Sequence, residues 1–137
     1  MIKALVDTNV IIDFFLGREP FCRNAEIVFQ KMNSSECEGY VSASAVTDIF
    51  YLLQKAKGHF KAKEDLLELI KVLDILEVNK NTVITALLFD WKDFEDAVQA
   101  QVAIENGLDV IITRNPQDYR NLEILQVLTP SNLAEKY

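Results

Sequence analysis

Acidic side chains occur in this chain where a parallel α/β sheet would bring them together. Asp7 follows the apolar run 4–6 at the end of a predicted strand, Asp48 lies in a mostly apolar helical pattern, and Asp93 and Asp96 are one helical turn apart. Carboxylate oxygens are the ligands that Mg²⁺ and Mn²⁺ prefer. A bound ion of this kind turns water into a hydroxide nucleophile and neutralises charge on a phosphoryl group. The pattern therefore indicates metal-assisted hydrolysis of a phosphate ester.

Each of these acids also has a structural interpretation. Asp7 could cap the helix that follows it, and Asp93 could cap the helix that carries Asp96. Asp48 is harder to explain in this way, because its neighbours are apolar and carboxylates are seldom buried without a partner. Asp96 lies beside alanines and a valine, so its carboxylate also needs a partner or a metal.

A second group of polar residues follows the late apolar run 110–113. Asn115 comes two residues after this run, and Asp118 three residues later. Asparagine before proline is most often a turn residue, and Asp118 could likewise hold backbone amides in a turn. Both positions nevertheless fall where a parallel sheet would direct ligands, just beyond the carboxyl ends of its strands.

Short apolar runs alternate with helical patterns along the whole chain. This alternation predicts an α/β protein with a central, mainly parallel sheet and helices on both faces, in three α/β/α layers. The predicted strands are 2–6, 39–42, 75–78, 110–113 and 126–128. The predicted helices are 9–16, 21–33, 45–57 capped by Ser44, 61–74, one from a cap at Asn81 through Phe89, 93–106, and one opened by Pro130.

The size and charge of the chain limit its function. Its 137 residues predict a single domain, 1–137. A net charge of −7 argues against a general basic surface for nucleic acid but is compatible with a nuclease, since bound cations reverse the charge locally. Basic residues cluster only at 55–63, where a solvated loop and helix start is the favoured interpretation.

The cysteine content indicates a reducing compartment. Cys22 and Cys37 are far apart, and the presence of a single histidine argues against a zinc site. The chain contains no apolar stretch of membrane-spanning length and no signal peptide pattern, so we expect a cytoplasmic protein without a membrane partner.

Three blocks of the sequence together resemble the PIN-domain family. They are Val-Asp-Thr-Asn-Val at 6–10, Asp-Phe-Glu-Asp-Ala at 93–97, and Val-Ile-Ile-Thr-Arg-Asn-Pro-Gln-Asp-Tyr at 110–119. The resemblance covers the chain almost end to end and implies a Rossmann-like α/β/α PIN fold. Many members are Mg²⁺- or Mn²⁺-dependent ribonucleases, and small bacterial members are often VapC-type toxins that commonly dimerise. It therefore implies an RNA substrate, an antitoxin protein partner and a homodimer.

Carried over by position, the resemblance implies roles for individual residues. Asp7 is the first metal-binding acid and Asp96 the third, with Asp93 supporting it. Thr8, Asn9 and Thr113 would orient ligands or waters.

Two positions depart from the family pattern. The second catalytic acid is commonly a glutamate in a helix, and here the shorter Asp48 stands nearest. The fourth acidic position appears as Asn115, whose amide oxygen can bind a metal but brings no charge. Asp118 is placed to compensate for that missing charge.

The principal hypothesis is therefore a metal-dependent ribonuclease, the toxin of a toxin–antitoxin pair. The alternative is a catalytically weakened PIN domain that serves as an RNA- or protein-binding module. A receiver or aspartyl-phosphate phosphatase fits poorly, because Asn9 stands where a phosphatase has its second aspartate and Thr113-Arg114 where a receiver has its lysine. The glycine-rich motifs of nucleotide-binding enzymes are missing from the sequence.

Overall fold

Five parallel strands form the centre of the molecule, for which a computed structural model describes residues 1–119 and 122–136. The strands are β1 (Ile2–Val6), β2 (Cys37–Ser42), β3 (Leu73–Leu76), β4 (Val110–Ile112) and β5 (Gln126–Leu128). They are ordered β3-β2-β1-β4-β5, and all four pairings are parallel. This confirms the predicted α/β class and parallel sheet.

Helices cover both faces of this sheet. They are α1 (Thr8–Leu16), α2 (Cys22–Asn33), α3 (Ala43–Lys57), α4 (His59–Val72), α5 (Lys80–Leu87), α6 (Phe94–Glu105) and α7 (Pro130–Lys136), with a 3₁₀ turn at Pro116–Tyr119. No helix among the described residues has the length and apolar composition that crossing a membrane requires.

Alternating side chains of the strands divide the core in two. Ala4 and Val6 pack with α1 to α4 and α7 on one face, whereas Leu5 packs with α5 and α6 on the other. Because side chains of a strand alternate between faces, a strand buried on both sides is apolar throughout. This explains why residues 4–6 of β1 and all of β4 appear in the sequence as apolar runs.

The predicted caps of α3 and α5 and the predicted start of β3 are wrong, and each is corrected by a specific contact. Ser42, not Ser44, caps α3, since its hydroxyl accepts from the Ser44 backbone N–H. Asn79, not Asn81, caps α5 through a capping box with Thr82. The third strand begins at Leu73 rather than residue 75, because pairing with β2 starts there. A long-range pairing of this kind has no local sequence signal.

The strand order places a topological switch point beside β1. The chain runs from β1 outward to β2 and β3, then crosses to β4 and β5 on the other side. Val6 at the end of β1 pairs with Ile112 at the end of β4, and the Asp7 backbone N–H donates to the Ile112 carbonyl at 2.9 Å. Open α/β sheets bind ligands in the crevice at such a point.

Candidate active site

Asp7 lies in this crevice, and both oxygens of its carboxylate accept hydrogen bonds. Oδ1 accepts from the Thr8 backbone N–H at 2.7 Å and from Gln99 Nε2 at 3.1 Å. Oδ2 accepts from Thr113 Oγ1 at 2.8 Å and from the Tyr119 hydroxyl at 3.3 Å. Asp7 is only 7% exposed and is also the N-cap of α1. Because Thr8, Gln99 and Thr113 all donate, they fix the carboxylate as an acceptor at the sheet edge, while the single proton of the Tyr119 hydroxyl lies within reach of both Asp7 and Asp96.

Asn9 and Thr113 join the start of α1 to the end of β4. Asn9 Nδ2 donates to Thr113 Oγ1 at 3.5 Å, and Asn9 Oδ1 accepts from the Arg114 backbone N–H at 3.1 Å. Thr113 Oγ1 also accepts from the Asn115 backbone N–H at 3.1 Å. These contacts position Thr113 to hold Asp7, while Asn115 takes part through its backbone.

Helix α6 brings a second carboxylate to the same place. Asp93 caps this helix by accepting from the Asp96 backbone N–H at 3.2 Å, which leaves Glu95 and Asp96 in the first turn. Asp96 Oδ1 lies 3.3 Å from the Tyr119 hydroxyl. Since the same hydroxyl contacts Asp7, the carboxylates of Asp7 and Asp96 lie on either side of one oxygen atom.

These carboxylates open onto a cleft of about 270 Å³. Its lining combines five acids with polar and apolar residues: Asp7, Thr8, Asn9, Ile12, Arg18, Leu52, Asp93, Glu95, Asp96 and Asp118. Within the described part of the chain, Asn115 and Asp48 are not among the lining residues. The cleft thus brings together most of the residues singled out from the sequence, while Asp48, Thr113 and Asn115 lie outside its lining.

Asp48 is exposed on α3, contrary to the expectation that it lies among apolar residues. It faces Glu95 instead. Burial raises the pKa of Glu95 to about 7, with further contributions from the negative charges of Asp48, Asp7 and Asp93 and from a hydrogen bond with Asp48. Asp48 therefore adjoins the site through Glu95.

Asp96 has a similarly perturbed carboxyl. Burial raises its pKa to about 7, and the charges of Asp7, Asp93 and Asp118 add to this, while the hydrogen bond from Tyr119 acts in the opposite direction. Burial and the two adjacent carboxylates also raise the pKa of the Tyr119 hydroxyl. The site is therefore crowded with negative charge that a cation would offset.

Sequence reasoning missed three residues of this site. Gln99 is fully buried and donates to both Asp7 and the Tyr119 hydroxyl, the latter at 3.2 Å. The sequence feature that could have identified Gln99 is an amide side chain one helical turn after Asp96, on a helix face that is otherwise apolar. Glu95 lies in the sequence block 93–97 and Tyr119 in the block 110–119, but the sequence pattern predicted no role for either residue.

The donor set fits a hard divalent cation. Mg²⁺ is usually held by one or two carboxylates, with waters and substrate phosphates completing its shell. Asp7 and Asp96 provide two such carboxylates around the Tyr119 hydroxyl. Across residues 1–119 and 122–136, no three His, Cys, Asp or Glu side chains form a ready-made metal-binding group.

Fold and site together define a class: a Rossmann-like α/β/α domain with an acidic centre at the switch point of its parallel sheet. The family model described as "PIN domain" matches residues 3–117. The chain therefore belongs to the PIN-domain family.

Individual relatives agree with this assignment. "Ribonuclease VapC1" of Aquifex aeolicus (strain VF5) is 26% identical over 140 residues, which cover 98% of this chain and 95% of the relative. A structure of VapBC-1 from nontypeable Haemophilus influenzae matches with a TM-score of 0.71 at 18% identity, covering 96% of this chain and 99% of that one. A toxin–antitoxin complex from Klebsiella pneumoniae matches with a TM-score of 0.69 at 23% identity, covering 93% and 97%.

Proposed function

We propose that this chain is a metal-dependent endoribonuclease that hydrolyses RNA phosphodiester bonds, and that it is the toxin of a toxin–antitoxin pair. The observation that carries the proposal is the pairing of Asp7 and Asp96 around one hydroxyl in the switch-point crevice. The names of the relatives support the substrate and the partner, since one is a ribonuclease and others are toxin–antitoxin complexes.

Asp7 and Asp96 are the residues that would hold Mg²⁺ or Mn²⁺. When bound, the ion would stabilise negative charge on the phosphoryl group and activate a water. Gln99, Thr113 and Tyr119 hold Asp7 in place through the hydrogen bonds given above. Asp93 caps α6 and so holds Asp96 in the first turn of this helix. Asp93 therefore contributes to the site by positioning Asp96.

Glu95 and Asp48 form the second functional element. A carboxyl with a pKa of about 7 exchanges its proton near neutral pH, which suits a general acid or base. Asp48 stabilises the protonated form of Glu95 by its charge and its hydrogen bond. We assign Glu95 as the proton-transfer group and Asp48 as the residue that tunes it.

The proposed assembly is a homodimeric toxin, each subunit one PIN domain, blocked by an antitoxin protein. The antitoxin partner is proposed because relatives bear titles that name VapBC and toxin–antitoxin complexes. The homodimer is proposed from membership of the PIN-domain family, whose small bacterial toxins commonly dimerise.

The decisive experiment measures cleavage of a mixed RNA sample in Mn²⁺, in Mg²⁺ and in EDTA. We expect cleavage with metal, none in EDTA, and none by the Asp7→Asn variant, whose fold is checked by circular dichroism. Asp74→Asn, an exposed change on β3, is the matched control and should cleave normally. RNA binding without cleavage in every metal would instead identify a weakened PIN domain that acts as a binding module.

A further inference from the structure

A buried carboxylate outside the proposed metal site lies between two arginines. Asp13 of α1 is 2% exposed. Arg18 Nη1 is 4.0 Å from its Oδ1, and Arg114 Nε is 3.4 Å from its Oδ2. Burial raises the pKa of Asp13, and the charges of Arg114 and then Arg18 counteract this. One acid and two bases leave this group with a net positive charge.

Arg18 reaches the acidic cleft from the end of α1. Gly17 ends this helix with φ of 61°, and the Arg18 backbone N–H then donates to the Asp13 carbonyl at 3.0 Å. This turn directs the Arg18 side chain into the cleft, where it remains 42% exposed. Among the described residues that line the cleft, Arg18 is the only cation.

Arg114 occupies an adjoining pocket of about 220 Å³. Its backbone N–H is held by Asn9, and its Cζ lies 4.2 Å from the centroid of the Phe21 ring. Stacking on an aromatic ring fixes the plane of a guanidinium. The pocket is lined by Asp13, Phe21, Asn24, Arg114, Thr129, Pro130 and Ser131, so hydroxyl and amide groups surround this cation.

The ion pairs with Asp13 do not use up the arginine donors. Charge-assisted N–H···O bonds are usually about 2.7–2.9 Å long, and both distances to Asp13 are longer. Within the described chain, Asp13 Oδ1 and Arg114 Nε are buried without a hydrogen-bond partner. The Arg18 side chain is nevertheless 42% exposed and that of Arg114 28% exposed, so each arginine keeps surface that another acceptor can reach.

We propose that Arg18 and Arg114, positioned together by Asp13, form a binding site for phosphate groups of the RNA strand that flank the scissile bond. The planar guanidinium fork matches phosphate oxygens in pairs. The acids of the cleft repel an RNA backbone, and this group supplies positive charge beside them. The inference rests on the proposed ribonuclease function, because RNA is the anion that it assigns to the cleft.

The test is RNA binding without cleavage. Fluorescence anisotropy measures the Kd of a single-stranded RNA oligonucleotide over a range of NaCl concentrations, in EDTA and again in Ca²⁺. We expect Arg18→Gln and Arg114→Gln each to weaken binding by about tenfold, the loss of one charge-assisted hydrogen bond. Each should also lower the slope of log Kd against log salt by about 0.7.

Arg23→Gln is the matched control, since it removes the same charge from an exposed position on α2 that lines neither cavity. Asp13→Asn separates positioning from charge: removal of an acid alone would tighten RNA binding, whereas loss of the positioning contact weakens it.

Equal salt slopes for the wild type and both arginine variants, no RNA binding by the wild type, or tighter binding by Asp13→Asn would each overturn the inference. Failure of the ribonuclease proposal would give a different experimental result. In that case the arginine variants lose RNA affinity as expected, but the wild-type chain cleaves no RNA in Mn²⁺ or Mg²⁺.

Discussion

Replacing Asp96 by asparagine should stabilise the metal-free protein at alkaline pH and not at acidic pH. The carboxyl of Asp96 has its pKa raised from 3.8 to about 7 by burial and by the charges of Asp7, Asp93 and Asp118. Each pKa unit corresponds to about 1.4 kcal/mol, so ionising this group in the folded protein costs at most about 4 kcal/mol. Solvent in the open cleft screens these charges, and we expect a gain of about 1 to 2 kcal/mol.

The pH dependence follows from the direction of this pKa. A group whose pKa is higher in the folded state contributes stability at low pH and loses it as pH rises through the folded value. The wild-type protein should therefore lose stability between about pH 4 and pH 7, and Glu95, whose pKa is also about 7, adds to the loss. Asp96→Asn lacks one of these groups, so its advantage grows over this range and is largest above pH 7.

The assay is thermal unfolding followed by circular dichroism in EDTA. A gain of about 1 to 2 kcal/mol raises the midpoint by about 4 to 8 °C in a chain of this size. Asp74→Asn removes an equal charge from an exposed strand position and should leave the midpoint unchanged. The reasoning is refuted if Asp96→Asn gains no more than this control at pH 8.5, or gains as much at pH 5.

Two further predictions concern residues around Asp7. Gln99→Met removes the amide that donates to Asp7 and Tyr119; we expect cleavage and Mn²⁺ affinity to fall by about 10- to 100-fold, as is typical for groups that orient a metal ligand. Unchanged kinetics would exclude Gln99 from the site. Asn115→Asp should leave Mn²⁺ affinity in calorimetric titration unchanged, because Asn115 does not line the cleft. Tighter Mn²⁺ binding by Asn115→Asp would show that residue 115 belongs to the metal site.

Much of this fold could be predicted from local sequence patterns. Apolar runs such as 4–6 and 110–112 specify strands because the part of a strand that is covered on both faces must be apolar at every position. Their alternation with helical patterns then leaves a parallel three-layer sheet as the simple solution. The start of β3 at Leu73 was not predictable in this way, since only the pairing with Gly39 of β2 sets it.

For the candidate site, the sequence determined which residues stand at the ends of strands and helices. Asp7 follows β1, and Asp93 caps α6, because those positions depend on neighbours in the chain. Only the tertiary structure decided that Gln99 and Tyr119 meet at the Asp7 carboxylate from residues 92 and 112 positions away. It also decided that Glu95 faces Asp48 while Asn115 stays outside the cleft. Burial and charge at these points depend on contacts between distant segments, and the spacing of residues along one segment does not encode them.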